Sequence, residues 1–328
     1  MSSENKINKE VLTNSYVHND PFLKAFFKPF YEYIENNKDL VEIVINKPRE
    51  VILLFPRGKK KFVTNEKLTF NKIETSLQTL ATKNVLKFNE TDQILSTELP
   101  GGHRLQAMGY GIVKSRIALS IRVKRDIKYK FSDFGIDKKT EDIIIKAIKN
   151  NQTLLVSGGT GTGKTSLTNM LIQYMNENDR IIAIEDVTEL DLKRFPDHVQ
   201  MMYLGNGTSE KQVDANTLLR SSLRMNPDKI LVGEIHVENA QTFCNAINTG
   251  HEGSIATIHA NTPVGALNSI ITKVIMAGAN DSAIKVLHKQ LCEDVYAILQ
   301  ITLDSKGNRK VEFKKTSDLK TIKLDVEN

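Results

Sequence analysis

The eight residues Gly158-Gly-Thr-Gly-Thr-Gly163-Lys164-Thr165 constrain this 328-residue chain more than any other feature. They fit Gly-x-x-x-x-Gly-Lys-Ser/Thr in full. The apolar run Leu154-Leu-Val156 comes just before them. Leu167, Met170, Leu171, Tyr174 and Met175 follow at the spacing of a buried helical face. Strand, glycine-rich turn and helix in that order form a phosphate loop. Backbone N–H groups from Gly158, Gly159, Thr160, Gly161, Thr162 and Gly163 can turn inward around a polyphosphate where no Cβ intervenes. The helix opening at Lys164, Thr165 and Ser166 adds its dipole. Lys164 supplies a point charge for the β- and γ-phosphates and Thr165 a hydroxyl for Mg²⁺, so the expected ligands are ATP and Mg²⁺.

A loop of this kind needs carboxylates on neighbouring strands to hold the metal and orient the attacking water. Ile181-Ile-Ala-Ile-Glu185-Asp186-Val-Thr-Glu189 ends an apolar run with three acids, and Ile230-Leu-Val-Gly233-Glu234 ends another with one. In both, the acid lies at the carboxyl end of a strand, where open α/β sheets bind ligands. Gly233 stands where an Asp is common, so metal contact is expected from Thr165, Glu234 and Asp186. Gly250-His251-Glu-Gly253 and Thr257-Ile-His259-Ala260 frame a further short strand. No Cys accompanies that His pair, which disfavours zinc and leaves a nucleotide-sensing role for imidazole.

From Lys139 onward strands and helices alternate, with strands expected at 153–156, 181–184, 230–232 and 253–258 and a closing hairpin at 295–302 and 310–313. This is the pattern of an α/β domain with a mostly parallel sheet. The first part reads differently. Strands are expected at 41–45, 51–55, 104–110 and 116–123, a helix at 70–86, and an aromatic helix capped by Asp20 with Pro21 at its first position. The domains expected are therefore a smaller α+β unit over 1–125, a polar linker over 126–138 and the α/β unit over 139–328.

Charge divides the same way. Residues 1–150 carry 27 Lys+Arg against 18 Asp+Glu, and the remainder 18 against 21. The basic first half is either an ordinary solvated surface or one drawn to anionic lipid or nucleic acid. No apolar stretch approaches the length of a membrane span, and residues 1–19 lack the apolar core of a secretory signal. Two cysteines, Cys244 and Cys292, make neither a disulfide framework nor a metal pair, so the cytoplasm is the expected compartment.

The order of these motifs resembles the secretion traffic ATPases, the hexameric motors of type II and type IV secretion and of type IV pili. The resemblance rests on the phosphate loop, the acidic box from Ile184 to Glu189, Val232-Gly233-Glu234, and the histidine box from Gly250 to Ala260. The form Gly-His-Glu-Gly-Ser-Ile-Ala-Thr-Ile-His-Ala is most like the VirB-type branch of type IV secretion. The resemblance implies a RecA-like fold for the α/β unit, a homo-hexamer, inner-membrane secretion proteins as partners and a peripheral place at the inner face of the bacterial inner membrane. Nucleic acid is not required. It implies that Glu189 is the general base, that Glu234 supports Mg²⁺ and water, and that His251 and His259 sense the nucleotide and line a subunit contact. Arg104 and Arg122 match arginines that reach the phosphates from the N-terminal domain. His236 stands where the family usually has Arg, and two cysteines cannot build the tetracysteine zinc site of the type II extension branch. A pilus assembly or retraction motor and a DNA-stimulated translocase are the alternatives. Glu189 and Glu234 argue against a scaffold without turnover.

Overall fold

The structure is a computed structural model, and it describes residues 20–125, 127–186, 188–203, 213–280 and 282–319. The polar start, residues 1–19, lies outside them. The chain divides into two compact units, Met1–Asp126 and Ile127–Asn328.

The first unit opens with α1 (Pro21–Phe26), whose start is capped as the sequence suggests: the Asp20 carboxylate accepts from the Phe22 and Leu23 N–H groups at 2.8 and 3.2 Å. Then come α2 (Lys28–Asn36), β1 (Glu42–Lys47), β2 (Glu50–Leu54), β3 (Lys60–Thr64), α3 (Phe70–Lys83), β4 (Ile94–Leu99), β5 (His103–Gly109) and β6 (Ile117–Arg122). The strands form one antiparallel sheet in the order β3-β2-β1-β6-β5-β4. Alternation decides its faces. Ile43, Leu53, Leu105 and Ile121 are buried and pack with Phe27 and Phe30 of the aromatic stripe and with Ile73 and Leu77 of α3. The opposite face carries Glu42, Arg104 and Arg122.

The second unit contains α4 (Lys138–Lys149), β7 (Thr153–Gly158), α5 (Lys164–Ile172), β8 (Ile181–Glu185), β9 (His198–Met202), α6 (Ala215–Ser222), β10 (Lys229–Val232), α7 (Val237–Asn248), β11 (Ile255–Ile258), α8 (Pro263–Met276), α9 (Ser282–Asp294), β12 (Val295–Leu303) and β13 (Arg309–Lys315). Its sheet runs β13-β12-β7-β11-β10-β8-β9, parallel at every pair except β12–β13. Every residue of β7 is buried. Leu154 and Val156 face one core with Leu167 and Leu171 of α5, and Leu155 faces the other with Phe243 and Ile270. Two covered faces explain why these strands read as continuous apolar runs.

One expectation needs correction. Phe131, Phe134 and Ile136, inside the stretch read as a polar linker, are buried in the core beside β7. A short 3-10 turn, Phe131–Phe134, turns both rings inward, and burying each stabilises by about 2 kcal/mol. Cys244 and Cys292 are buried and free, and burial pushes the Cys244 thiol up to about 12. Among the described residues no helix is long and apolar enough to cross a membrane.

Candidate nucleotide site

Parallel strands carry their carboxyl ends to one edge of the sheet, and four pieces of the site arrive there. β7 runs into the phosphate loop, β8 ends on Glu185, β10 leads to Gly233 and Glu234, and β11 leads to His259. Register confirms the edge: Ile258 pairs with Ser157 and Val232 with Ile184.

The loop itself is held open toward an anion. Gly161 and Gly163 have φ of 74° and 103°, left-handed values that side chains disfavour. The Thr162 hydroxyl donates to the Gly159 carbonyl at 2.9 Å. α5 starts from Gly163 with no side-chain cap, whereas Asp137, Asp214 and Thr262 cap α4, α6 and α8. A helix of nine residues thus points an uncapped N-terminus into a glycine cradle, which fits a polyphosphate.

Lys164, only 9% exposed, lies across the cradle. Its ammonium donates to the carbonyls of Gly158 and Gly159 at 3.1 and 3.2 Å. It also sits 3.2 Å from Nδ1 and 3.4 Å from Nε2 of His259. Nε2 of the same ring is 3.1 Å from Oε2 of Glu234. A ring protonated on Nε2 satisfies both neighbours, donating to the carboxylate and offering Nδ1 to the ammonium. Loop lysine, histidine and acid are therefore joined in one chain of contacts.

Glu234 is well anchored. Its carbonyl accepts from Asn239 Nδ2 at 3.1 Å, the Ile235 N–H donates to Thr257 O at 2.9 Å, and the Thr257 hydroxyl donates to Gly233 O. His236 Nδ1 is 3.9 Å from Glu234 Oε1, so the residue in the usual Arg position also faces this carboxylate. Gly233 has a reason of its own. A Cβ there would lie 3.2 Å from Cγ of Glu185 and 3.3 Å from the Ile184 carbonyl oxygen, closer than ordinary contact.

Glu185 is 3% exposed and serves the backbone. Its Oε1 accepts from the N–H groups of Glu189 and Leu190, each at 2.9 Å. Asn169 Nδ2 donates to the Glu189 carbonyl at 2.9 Å. Glu189 is thus pinned on both sides through its main chain. Its half-buried carboxylate makes no hydrogen bond among the described residues, as suits a base awaiting water. Replacing Glu185 with alanine leaves two N–H groups without their acceptor. Unfolding free energy is expected to fall by about 3 kcal/mol, read as a lower urea midpoint; an unchanged midpoint would refute this role.

The other expected residues divide. Asp186 is exposed at the end of β8 and Thr165 half-buried in the first turn of α5; hydroxyl and carboxylate oxygens of this kind suit Mg²⁺. Thr160 is exposed at the tip of the loop and Ser166 half-buried beside Thr165. Arg104 and Arg122 lie in the first unit, directly opposite each other across β5 and β6 and flanked by Glu98 and Glu42. The described site is built by the second unit alone.

His251 requires a correction. It precedes β11 and so lies at the sheet edge away from the loop, beside residues that open β7: the neighbouring Gly253 N–H donates to the Thr153 hydroxyl at 3.2 Å. Its Nδ1 contacts the Ala246 carbonyl at 3.2 Å. His251 is not part of this chain's nucleotide site.

Tyr203, just beyond β9, was not foreseen. Its hydroxyl is buried with no partner among the described residues, and burial, reinforced by Asp186 and Glu234, raises its pKa so that it stays protonated. The phenol is kept neutral first by burial and then by the nearby carboxylates of Asp186 and Glu234, which make this the acidic side of the site.

The likenesses to known proteins agree with this geometry. Residues 42–317 match the profile of the family described as Type II/IV secretion system protein. The chain is 30% identical over 272 residues to the type IV secretion system protein VirB11 of Bartonella quintana (strain Toulouse), covering 71% of this chain and 76% of that one. It is 28% identical over 337 residues to VirB11 of Rhizobium radiobacter, covering 89% and 97%. Among solved structures, the Legionella pneumophila ATPase DotB superposes with a TM-score of 0.65 at 17% identity, over 90% of this chain and 82% of that one. The pilus retraction motor PilT with bound ADP gives 0.65 at 21%, over 89% and 81%. At such identities the structural matches speak for the fold, a RecA-like second unit. A chain that keeps this pattern from residue 42 to residue 317 on such a fold belongs to the type II/IV secretion system proteins, and its activity is ATP hydrolysis.

Proposed function

We propose that the chain is a Mg-ATP-driven motor of a bacterial type IV secretion system, working as a homo-hexamer at the inner face of the inner membrane with inner-membrane secretion proteins as partners. The observation that carries the reading is the contact chain from Lys164 through His259 to Glu234. A γ-phosphate entering the cradle competes for the Lys164 ammonium and draws it from the loop carbonyls and from His259. His259 is then free to turn its Nδ1 side to the nucleotide while Nε2 stays on Glu234, so occupancy of the cradle is reported to the acid at the next strand end.

Backbone N–H groups from Gly159 to Thr165 hold the phosphates, and Glu189 takes the proton of the attacking water. Mg²⁺, when bound, neutralises the β- and γ-phosphate oxygens. Thr165, Glu234 and Asp186 would hold it. The relatives named as type IV secretion proteins favour export over pilus movement. Light scattering should show six chains per particle in saturating Mg-ATP. A particle of one chain under those conditions would contradict the ring.

A further inference from the structure

Arg309 opens β13, far from any motif, yet it touches the phosphate loop. Its Nε–H donates to the carbonyl of Thr162 at 3.3 Å, across 147 positions of sequence. Its guanidinium lies over the rings of Tyr129 and Phe134, with centroids 4.8 and 5.6 Å away. Such stacking holds a planar fork in one orientation. Gly163 makes room for it: a Cβ there would lie 2.7 Å from Nε and 3.4 Å from Cζ. The glycine before Lys164 therefore serves the backbone turn, with φ of 103°, and also admits the guanidinium.

We propose that Arg309 is a positioning residue for the phosphate loop, setting from outside the direction of an amide inside it. A trans peptide is planar, so the Thr162 carbonyl and the Gly163 N–H lie in one plane and point in opposite directions. Holding the carbonyl outward against Arg309 aims the Gly163 N–H into the cradle. That N–H belongs to the set of inward amides that recognises a phosphate chain. The ligand class is any polyphosphate, and Arg309 never touches it. The inference rests on the reading of Gly158 to Thr165 as the polyphosphate site.

The test is calorimetric titration of inorganic pyrophosphate and of ADP into the full chain. Arg309→Met keeps an apolar stem and loses the aimed donor. It is expected to weaken both ligands about tenfold, a loss worth one decade of Kd. Arg309→Lys, with charge but no planar fork, should weaken them about threefold. In turnover, Arg309→Met should raise KM for ATP with kcat within about threefold and the melting temperature of the free protein unchanged, a split that a merely structural residue would not give. Wild-type affinity for pyrophosphate in Arg309→Met would overturn the proposal. Should that variant fail to fold, unaltered affinity in Arg309→Lys overturns it equally. Wild-type protein that binds neither pyrophosphate nor ADP would instead defeat the reading of the loop itself.

Discussion

Lys164→Ala is expected to lose ATP turnover by at least about a hundredfold while remaining folded, because one charge-stabilising donor at a transferring phosphoryl group carries about 3 kcal/mol of the barrier. The buried ammonium is the described cation lying across the glycine cradle, bonded to Gly158 and Gly159. A uniformly positive potential over the protein cannot replace a point charge at that place. The fold should survive because the loop has anchors that do not involve this side chain. Thr162 holds Gly159, and the Leu167 N–H donates to Gly163 O at 2.9 Å. Leu167 and Leu171 keep α5 against β7. Phosphate release and a melting curve measured on the same preparation check both halves. A folded variant turning over at the wild-type rate would remove Lys164 from the chemistry.

Glu189→Gln should be about as severe in rate and yet harmless to binding. The amide is nearly isosteric, and the main-chain anchors of residue 189 to Glu185 and Asn169 remain. Only the capacity to accept a proton goes. General-base catalysis contributes about 10² to 10⁴-fold, so turnover should fall into that range while Kd for ATP stays within about threefold. Glu234→Gln makes the contrast. Its carboxylate is engaged with His259 and faces His236, so its loss should raise the Mg²⁺ concentration needed for half-maximal rate as well as lowering kcat. Rapid-quench turnover against a Mg²⁺ series separates the two. Equal Mg²⁺ dependence in both variants would contradict the assignment of base to Glu189 and of metal support to Glu234.

The parts of this molecule that sequence reveals share a physical cause. Interior parallel strands are covered on both faces, so β7, β8 and β10 stand out as apolar runs, and the acids ending them inherit their place from strand direction. The phosphate loop is legible because its whole geometry is local. Strands at sheet edges are the ones missed: β4 bounds the first sheet on one side and β9 the second. β4 carries serine and threonine that blur its alternation, and β9, His198-Val-Gln-Met-Met202, is short and partly exposed along its whole length, so neither shows a clear period. β13 is an edge too, but the turn Asp304 to Asn308 exposes its hairpin, with two N–H groups bonded to the Asp304 carboxylate.

Other features escaped because their partners are distant in the chain. Gly233 in place of an acid makes sense only once Glu185, 48 positions earlier, is seen filling the space beside it. Arg309 has no local signal at all. His251 and His259 look equivalent in one motif, yet a four-residue strand between them sends the two to opposite edges of the sheet. The buried pair Phe131 and Phe134 sits in a turn too short for periodicity to register.

Titrating Mg-ATP into the wild-type chain and into Lys164→Ala side by side, in a calorimeter, tests the central claim most directly. Saturable heat with one nucleotide per chain should appear for the wild type, weakened at least about tenfold in the variant, as expected for losing a charged hydrogen bond to phosphate. Equal binding by the two proteins, or no heat from either, would mean that the cradle at the end of β7 does not hold a triphosphate.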